Sequence, residues 1–137
     1  MKKRNNAGFT LVELLVVATI LIVLTTIGLM SFRNAGQNSR DGKRKSDIES
    51  VRQALVLQRS DTGTYPSGAY SAVVSALITA DYLTAPAPTD PKNTSPFTYT
   101  YSLAGSDFCL CANQMENSAN ANANTCGPAG SYCVENP

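Results

Sequence analysis

The chain has 137 residues, 11 of them Lys or Arg and 10 of them Asp or Glu, which allows one small domain plus an appendage. It contains no histidine, the side chain most often used as a general base or as a metal ligand. It also carries no activated nucleophile and no phosphate-binding loop. We therefore predict that it is not an enzyme and that it needs no cofactor or metal. All basic residues except Lys92 precede residue 60, so the first half is basic and the second half is acidic.

The first predicted element is an apolar run of 24 residues from Phe9 to Phe32. As a helix it would be about 36 Å long, enough to cross a hydrocarbon core of about 30 Å. Its one charged residue is Glu13, although an ionised side chain in a bilayer costs at least ~2.5–3.5 kcal/mol. The run is too long for a cleaved secretory signal, and no Ala-x-Ala-like site follows it. Neither a signal nor a plain anchor explains Glu13.

The stretch KKRNNAGFTLVELLVVATILIVL, residues 2–24, resembles the prepilin leader of type IV pilins and type II secretion pseudopilins. The resemblance implies that a membrane peptidase cuts between Gly8 and Phe9 and that Phe9 is then N-methylated. It also implies that Glu13 sets the register of assembly by pairing with the N-terminal amine of a neighbouring subunit. A paired carboxylate is much less costly in apolar surroundings than an unpaired one.

The same resemblance implies where the chain resides and what it meets. Residues 1–8 would be a cytoplasmic leader, and the head would be extracytoplasmic. Counting the basic residues on either side of the apolar run would by itself favour the opposite orientation. The implied partners are further copies of the chain in a helical homopolymer, prepilin peptidase and the inner-membrane assembly platform. The protein would sit in the membrane as a single-pass protein before assembly, and afterwards in a cell-surface or periplasm-spanning filament.

Residues 33–60 are predicted to continue the helix as an amphipathic segment, so that one helix runs from Phe9 to about Arg59, with Gly36 and Gly42 as candidate bends. Apolar residues recur at helical spacing on one face, and charged residues are assigned to the other face. The run RDGKRK, residues 40–45, is interpreted as a solvated face that meets acidic heads of neighbouring subunits. DNA binding is the disfavoured alternative, because no aromatic residues are interleaved. The apolar stripe consists of Ile48, Val51, Ala54 and Leu55; the charged set is Arg40, Lys43, Arg44, Asp47, Glu49, Arg52 and Arg59.

Residues 61–137 are predicted to form a globular α+β head with an antiparallel sheet that packs against the helix. A turn cluster at 61–68 is followed by a second helix over 69–83 and by a proline-rich loop. Within that loop, Asp90-Pro91 resembles an Asp-Pro of type II major pseudopilins. Alternation then predicts a hairpin of strands 97–103 and 108–114. We expect an exposed loop and a mostly irregular tail after it.

Four cysteines in the head predict two disulfides. Cys109 and Cys111 point to the same face of one strand, and a direct bridge between them would be strained because their Cα atoms lie about 6.5–7 Å apart. Both should therefore reach into the tail, to Cys126 and Cys133, in a pairing that the spacing leaves open. A four-thiolate zinc site is the competing interpretation, but C-x-C is poor zinc-knuckle spacing.

The sequence thus predicts a structural subunit of a type IV pilus-like filament, either a pilin or a major pseudopilin. The middle of the chain favours the pseudopilin branch, whereas the cysteine-pinned tail favours the pilin branch. The alternative is a membrane-anchored extracytoplasmic binding protein that does not polymerise. That alternative predicts an uncleaved N-terminus and has no use for Glu13.

Overall fold

A computed structural model describes residues 8–122 and 126–136. Its elements are α1 (Leu11–Thr62), α2 (Tyr70–Thr79), β1 (Tyr99–Ala104), β2 (Asp107–Ala112), a short 3₁₀ turn (Ser118–Asn120) and β3 (Tyr132–Glu135). The predicted α+β class, a long N-terminal helix with a small antiparallel sheet, is confirmed. The chain divides into two compact units, residues 1–36 and 37–137.

The first unit is the apolar part of α1, and its large side chains have no packing partners within the unit. Every large apolar residue from Phe9 to Phe32 is at least 47% exposed. Polar groups are few and satisfied locally: the hydroxyls of Thr19 and Thr25 donate to the carbonyls of Val16 and Leu21 at 2.8 and 2.7 Å. Such bonds hide hydroxyl polarity where no water is present. By length and hydropathy, this helix could cross a membrane.

The second unit is built on the C-terminal part of α1. Ile48, Val51 and Leu55 recur at helical spacing and are fully buried, so the predicted stripe is the one that packs on the head. Helix α2 contributes to the same core. The helix is continuous through Gly36 and Gly42, the two candidate bends. The remaining core side chains are Ala54, Tyr65, Val73, Val74, Leu77, Tyr99, Tyr101, Phe108, Leu110, Ala112, Met115 and Val134.

The sheet has the order β1-β2-β3 and is antiparallel throughout. Strands β1 and β2 form the predicted hairpin, closed by the pair Ala104↔Asp107. Gly105, at φ +65°, occupies the first central position of the two-residue turn, where a type II′ turn requires a positive φ. Phe108 and Leu110 face the core, so Cys109 and Cys111 face the opposite side of the sheet.

The predicted end of the second helix was wrong, and one strand of the sheet was not predicted. Helix α2 ends at Thr79 because Asp81 adopts φ +59° and the N–H of Tyr82 returns to the carbonyl of Leu77, a Schellman-type end. The tail, predicted to be mostly irregular, also contains a third strand that was not predicted, since residues 132–135 pair with β2. This strand has four residues, too few for a clear alternation in the sequence.

Candidate functional site

The N-terminal motif lies just ahead of α1 and at its first turn. Gly8 and Phe9 are exposed, and the Phe9 side chain is 82% accessible. The Glu13 carboxylate accepts hydrogen bonds from both the backbone N–H and the hydroxyl of Thr10, each at 2.9 Å. The Glu13 N–H in turn donates to the Thr10 hydroxyl at 3.2 Å. The pair forms a reciprocal capping box.

This capping box gives Glu13 a partner inside its own chain, which the sequence analysis missed. Its signal is the spacing T-x-x-E at the start of an apolar helix, read here as Thr10-Leu11-Val12-Glu13. A carboxylate at this position also interacts favourably with the positive end of the helix dipole. The pairing of Glu13 with a neighbouring subunit's amine remains a prediction, and the basic residues Lys2, Lys3 and Arg4 lie outside the described part of the chain.

The second candidate site is an ionic cluster in the head, centred on Arg44. The assignment of Arg44 to a solvated face was wrong, because its side chain is 0% exposed. Residues 41, 44, 48, 51 and 55 follow one helical stripe, so Arg44 and Asp41 continue the buried face of α1 toward the N-terminus. The same finding removes Asp41 and Arg44 from any surface for DNA or for neighbouring heads, whereas Lys43 between them is exposed.

Arg44 joins three segments of the head. Its Nε and Nη2 donate to the two oxygens of Asp90 at 2.7 and 3.0 Å, in a bidentate arrangement. Its Nη1 donates to Asp41 at 2.7 Å and to Glu116 at 3.3 Å. Two further cations, Arg40 and Lys92, reach Glu116 at 2.6 and 2.9 Å. The cluster thereby fastens the Asp90 loop and the segment after β2 to the helix.

The carboxylates of the Arg44 cluster are held in their ionised form. Hydrogen bonds from Arg40, and then from Lys92 and Arg44, lower the pKa of Glu116 to about 2, against the effect of burial. Burial by itself would raise the pKa of Asp41 and of Asp90. Hydrogen bonds from Asn120 and two backbone N–H groups to Asp41, and from Arg44 to Asp90, outweigh it and leave both pKa values below normal.

The lowered carboxylate pKa values predict a stability that depends on pH in a defined window. A group whose pKa is depressed by folding stabilises the protein above its unfolded pKa, here about 3.9–4.3, and loses that contribution as pH falls through the folded pKa. We expect the midpoint of urea unfolding to be level from about pH 7 to 5 and to fall steadily toward pH 2.

The variant Glu116→Gln should be less stable at neutral pH, and its midpoint should change less steeply below pH 5, because one of the shifted groups is gone. Asp61→Asn, an exposed carboxylate at the end of α1 and outside the Arg44 cluster, is the matched control and should keep the wild-type slope. A Glu116→Gln slope equal to that of the wild type would contradict the assignment.

The four cysteines form two disulfides between β2 and the tail. The structure pairs Cys109 with Cys126 and Cys111 with Cys133. Cys111 and Cys133 are directly opposed in the β2–β3 register, so their bridge crosses two neighbouring strands. All four sulfur atoms lie within 4.8 Å of one another, a spacing that a metal ion could use. Since each sulfur is bonded to another sulfur, none is present as the thiolate that zinc requires.

Comparison with known proteins identifies the N-terminal segment. The profile of the prokaryotic N-terminal methylation motif matches residues 3–29, which include Gly8, Phe9 and Glu13. The profile covers most of the predicted leader and most of the apolar run, and it overlaps residues 2–24, which resemble the prepilin leader.

Two curated proteins are similar over a longer stretch. The chain is 33% identical over 67 residues to the type II secretion system core protein G of Aeromonas hydrophila, and 31% identical over 67 residues to that of Pseudomonas aeruginosa. In both cases the match covers 49% of this chain and 47% of the relative. The chain therefore spans about half the length of these relatives. No solved structure matches.

Proposed function

We propose that this chain is the structural subunit of a type IV pilus-like filament. Its methylation motif and its similarity to type II secretion core proteins G support its membership of the pilin and pseudopilin family. In this proposal the peptidase cuts after Gly8, Phe9 is N-methylated, and subunits assemble through α1. The head then faces outward, and the protein is anchored in the membrane until it is assembled.

The observation that carries the proposal is the exposure of the large apolar side chains of this helix. A helix with every large side chain from Phe9 to Phe32 exposed needs a non-aqueous partner along its whole surface. A bilayer meets that need before assembly, and the same helices of neighbouring subunits would meet it in a filament. The GFTLVE motif lies at the end of this helix, where a processed N-terminus would form.

The first test is the intact mass of the protein from its native cells, with fragmentation of the N-terminus. We expect a chain that begins at methylated Phe9 and contains two disulfides, so that reduction adds the mass of four hydrogens. A chain that still begins at Met1 would overturn the proposed processing. It would favour the alternative, a membrane-anchored binding protein.

One structural feature would serve that alternative. A groove of 520 Å³ lies between α2, β1 and the proline-rich loop, lined by Tyr70, Val74, Pro88, Tyr99 and Tyr101 among others. It is largely apolar, as ligand sites often are. The aromatic hydroxyls around it already donate hydrogen bonds within the protein: those of Tyr70, Tyr99 and Tyr101 donate to the Pro88 carbonyl, the Asp47 carboxylate and the Pro66 carbonyl. The filament proposal does not need this groove.

The role of Glu13 can be tested separately from its role as a helix cap. In Glu13→Gln the side chain can still complete the capping box, because Gln serves at this position as Glu does, but it cannot neutralise an amine. If the charge sets the register, we expect normal cleavage after Gly8 and a loss of filaments of at least about tenfold. Electron microscopy of sheared filaments and immunoblots of processing measure the two outcomes.

Thr10→Val is the matched control for Glu13→Gln. It removes the hydroxyl that takes part in the capping box but leaves the Glu13 charge in place. We expect it to assemble better than Glu13→Gln. If Glu13→Gln assembled normally while Thr10→Val did not, capping rather than charge pairing would be the function of this carboxylate.

A further inference from the structure

The two disulfides differ in their access to solvent. Cys111 and Cys133 are 3% and 0% exposed, so their bridge, here called the inner bridge, is buried. The outer bridge joins half-buried Cys109 to exposed Cys126. It lines an open groove together with Asp107, Glu135 and Asn136. A thiol reagent from solvent can therefore approach the outer bridge at Cys126.

The inner bridge is covered by the chain that carries the outer one. A Cβ placed on Gly127 would collide with Cys133 Sγ and would lie 2.7 Å from Cys111 Sγ. The backbone next to Cys126 is thus packed directly over the inner bridge, and only a residue without a side chain fits there. A reagent approaching from this side meets the backbone of Gly127 before it meets the inner sulfurs.

The bridges nevertheless touch each other. Cys109 Sγ lies 3.4 Å from Cys111 Sγ, because both side chains leave the same face of β2. We propose that the inner bridge is reduced and oxidised through the outer bridge. A dithiol, either a small molecule or a thiol–disulfide oxidoreductase, attacks at Cys126. Cys109 then relays the exchange to Cys111.

The reductive direction has two steps. A thiolate of the dithiol attacks Cys126 Sγ, the Cys109–Cys126 bond breaks, and Cys109 leaves as a thiolate. Cys109 then attacks Cys111 Sγ, the Cys111–Cys133 bond breaks, and Cys133 leaves as a thiolate that takes a proton from solvent. The second thiol of the dithiol, once deprotonated, attacks its partner sulfur in the mixed disulfide, and Cys126 leaves as a thiolate that takes a proton from solvent. One dithiol has been oxidised to a disulfide, and the chain keeps one bridge, Cys109–Cys111.

The Cys109–Cys111 bridge joins residues i and i+2 of a strand, a strained link that opposes its accumulation and makes it readily reduced by a second dithiol. One contact favours the relay. Ser131 Oγ lies 3.1 Å from Cys133 Sγ. Its hydrogen, donated here to the carbonyl of Pro128, can turn toward a thiolate on Cys133. In the reverse direction, the same steps let an external disulfide oxidise Cys111 and Cys133, which it cannot reach directly.

The test compares two variants of the full-length chain in detergent. Cys126→Ser removes the outer bridge but leaves the Cys109 thiol beside the inner bridge. The double variant Cys109→Ser/Cys126→Ser removes the outer bridge and the relaying thiol together. Both are treated with dithiothreitol under native conditions, quenched with acid, alkylated and mapped by fragment mass, so that loss of the inner bridge is timed.

A relay predicts that Cys126→Ser loses the inner bridge at least about tenfold faster than the double variant, since the Cys109 thiol reacts within the molecule. Equal rates would overturn the relay, because both variants uncover the inner bridge to the same extent. The wild-type chain gives an independent test that needs no variant. The outer bridge must be lost before the inner one, and the reverse order would overturn the proposal.

Discussion

Arg44→Met should lower the free energy of unfolding by about 3–5 kcal/mol, the usual result of removing one partner from a buried ion cluster. Asp41 and Asp90 would stay buried without the guanidinium that now bonds both of them. Glu116 would keep Arg40 and Lys92. Because small domains are stable by only about 5–15 kcal/mol, this is a large share of the total. The measurement is urea unfolding of the full-length chain in detergent, followed by near-ultraviolet circular dichroism of the head tyrosines.

Lys43→Ala is the matched control, one position before Arg44 on the same helix. Its ammonium lies 3.4 Å from Asp47, but the side chain is 56% exposed. Exposed pairs contribute about 0–1 kcal/mol, so this variant should remain close to the wild type. If Arg44→Met and Lys43→Ala lost the same small amount, the Arg44 cluster would not hold the head together.

A combined variant separates the loss of ion-pair attraction from the cost of leaving buried carboxylates without a cationic partner. In Arg44→Met/Asp41→Asn/Asp90→Asn neutral amides replace the two carboxylates. The amide oxygen at position 90 can still accept from the Lys92 N–H, whereas the single amide oxygen at position 41 can accept from only one of the two N–H groups, those of Glu116 and Asn117, that Asp41 bonds. We expect it to be more stable than Arg44→Met alone, because the buried uncompensated charges are gone. A combined loss equal to the sum of the separate losses would show that the three side chains act independently.

The parts of the fold that the sequence predicts are those governed by local periodicity. The apolar helix, the 48–51–55 stripe and the alternation of FTYTYSL and FCLCANQ need only short windows of sequence. The same-face placement of Cys109 and Cys111 follows from strand geometry in the same way. Strand β3 was missed because four residues between turns carry too little pattern to distinguish a strand from a coil.

The Arg44 cluster was missed for a different reason. Its ion pairs join residues that are 46 and 72 positions apart in the sequence, and no local sequence pattern indicates a contact between such distant positions. Charged residues on a helix are ordinarily exposed to solvent, and for that reason Arg44 was assigned to the outer face. The one available signal was positional, since residues 41 and 44 continue the spacing of the buried stripe. The pairing of the four cysteines was equally open, because both pairings with the tail satisfy the spacing.

Replacing Cys111 and Cys133 together by alanine should cost about 3 kcal/mol or more, and it should cost more than replacing Cys109 and Cys126. Chain entropy alone separates the two bridges by only about 0.2 kcal/mol, because their loops span 22 and 17 residues. The inner bridge, however, also fills buried space and joins directly opposed residues of β2 and β3. Without it we expect β3 to detach first, as faster hydrogen exchange at the N–H groups of residues 132–135. Equal losses of stability for the two pairs, with the N–H groups of β3 still protected, would contradict this prediction. The bridges would then act only by restricting the unfolded chain, and β3 would be held by its hydrogen bonds and by Val134 in the core.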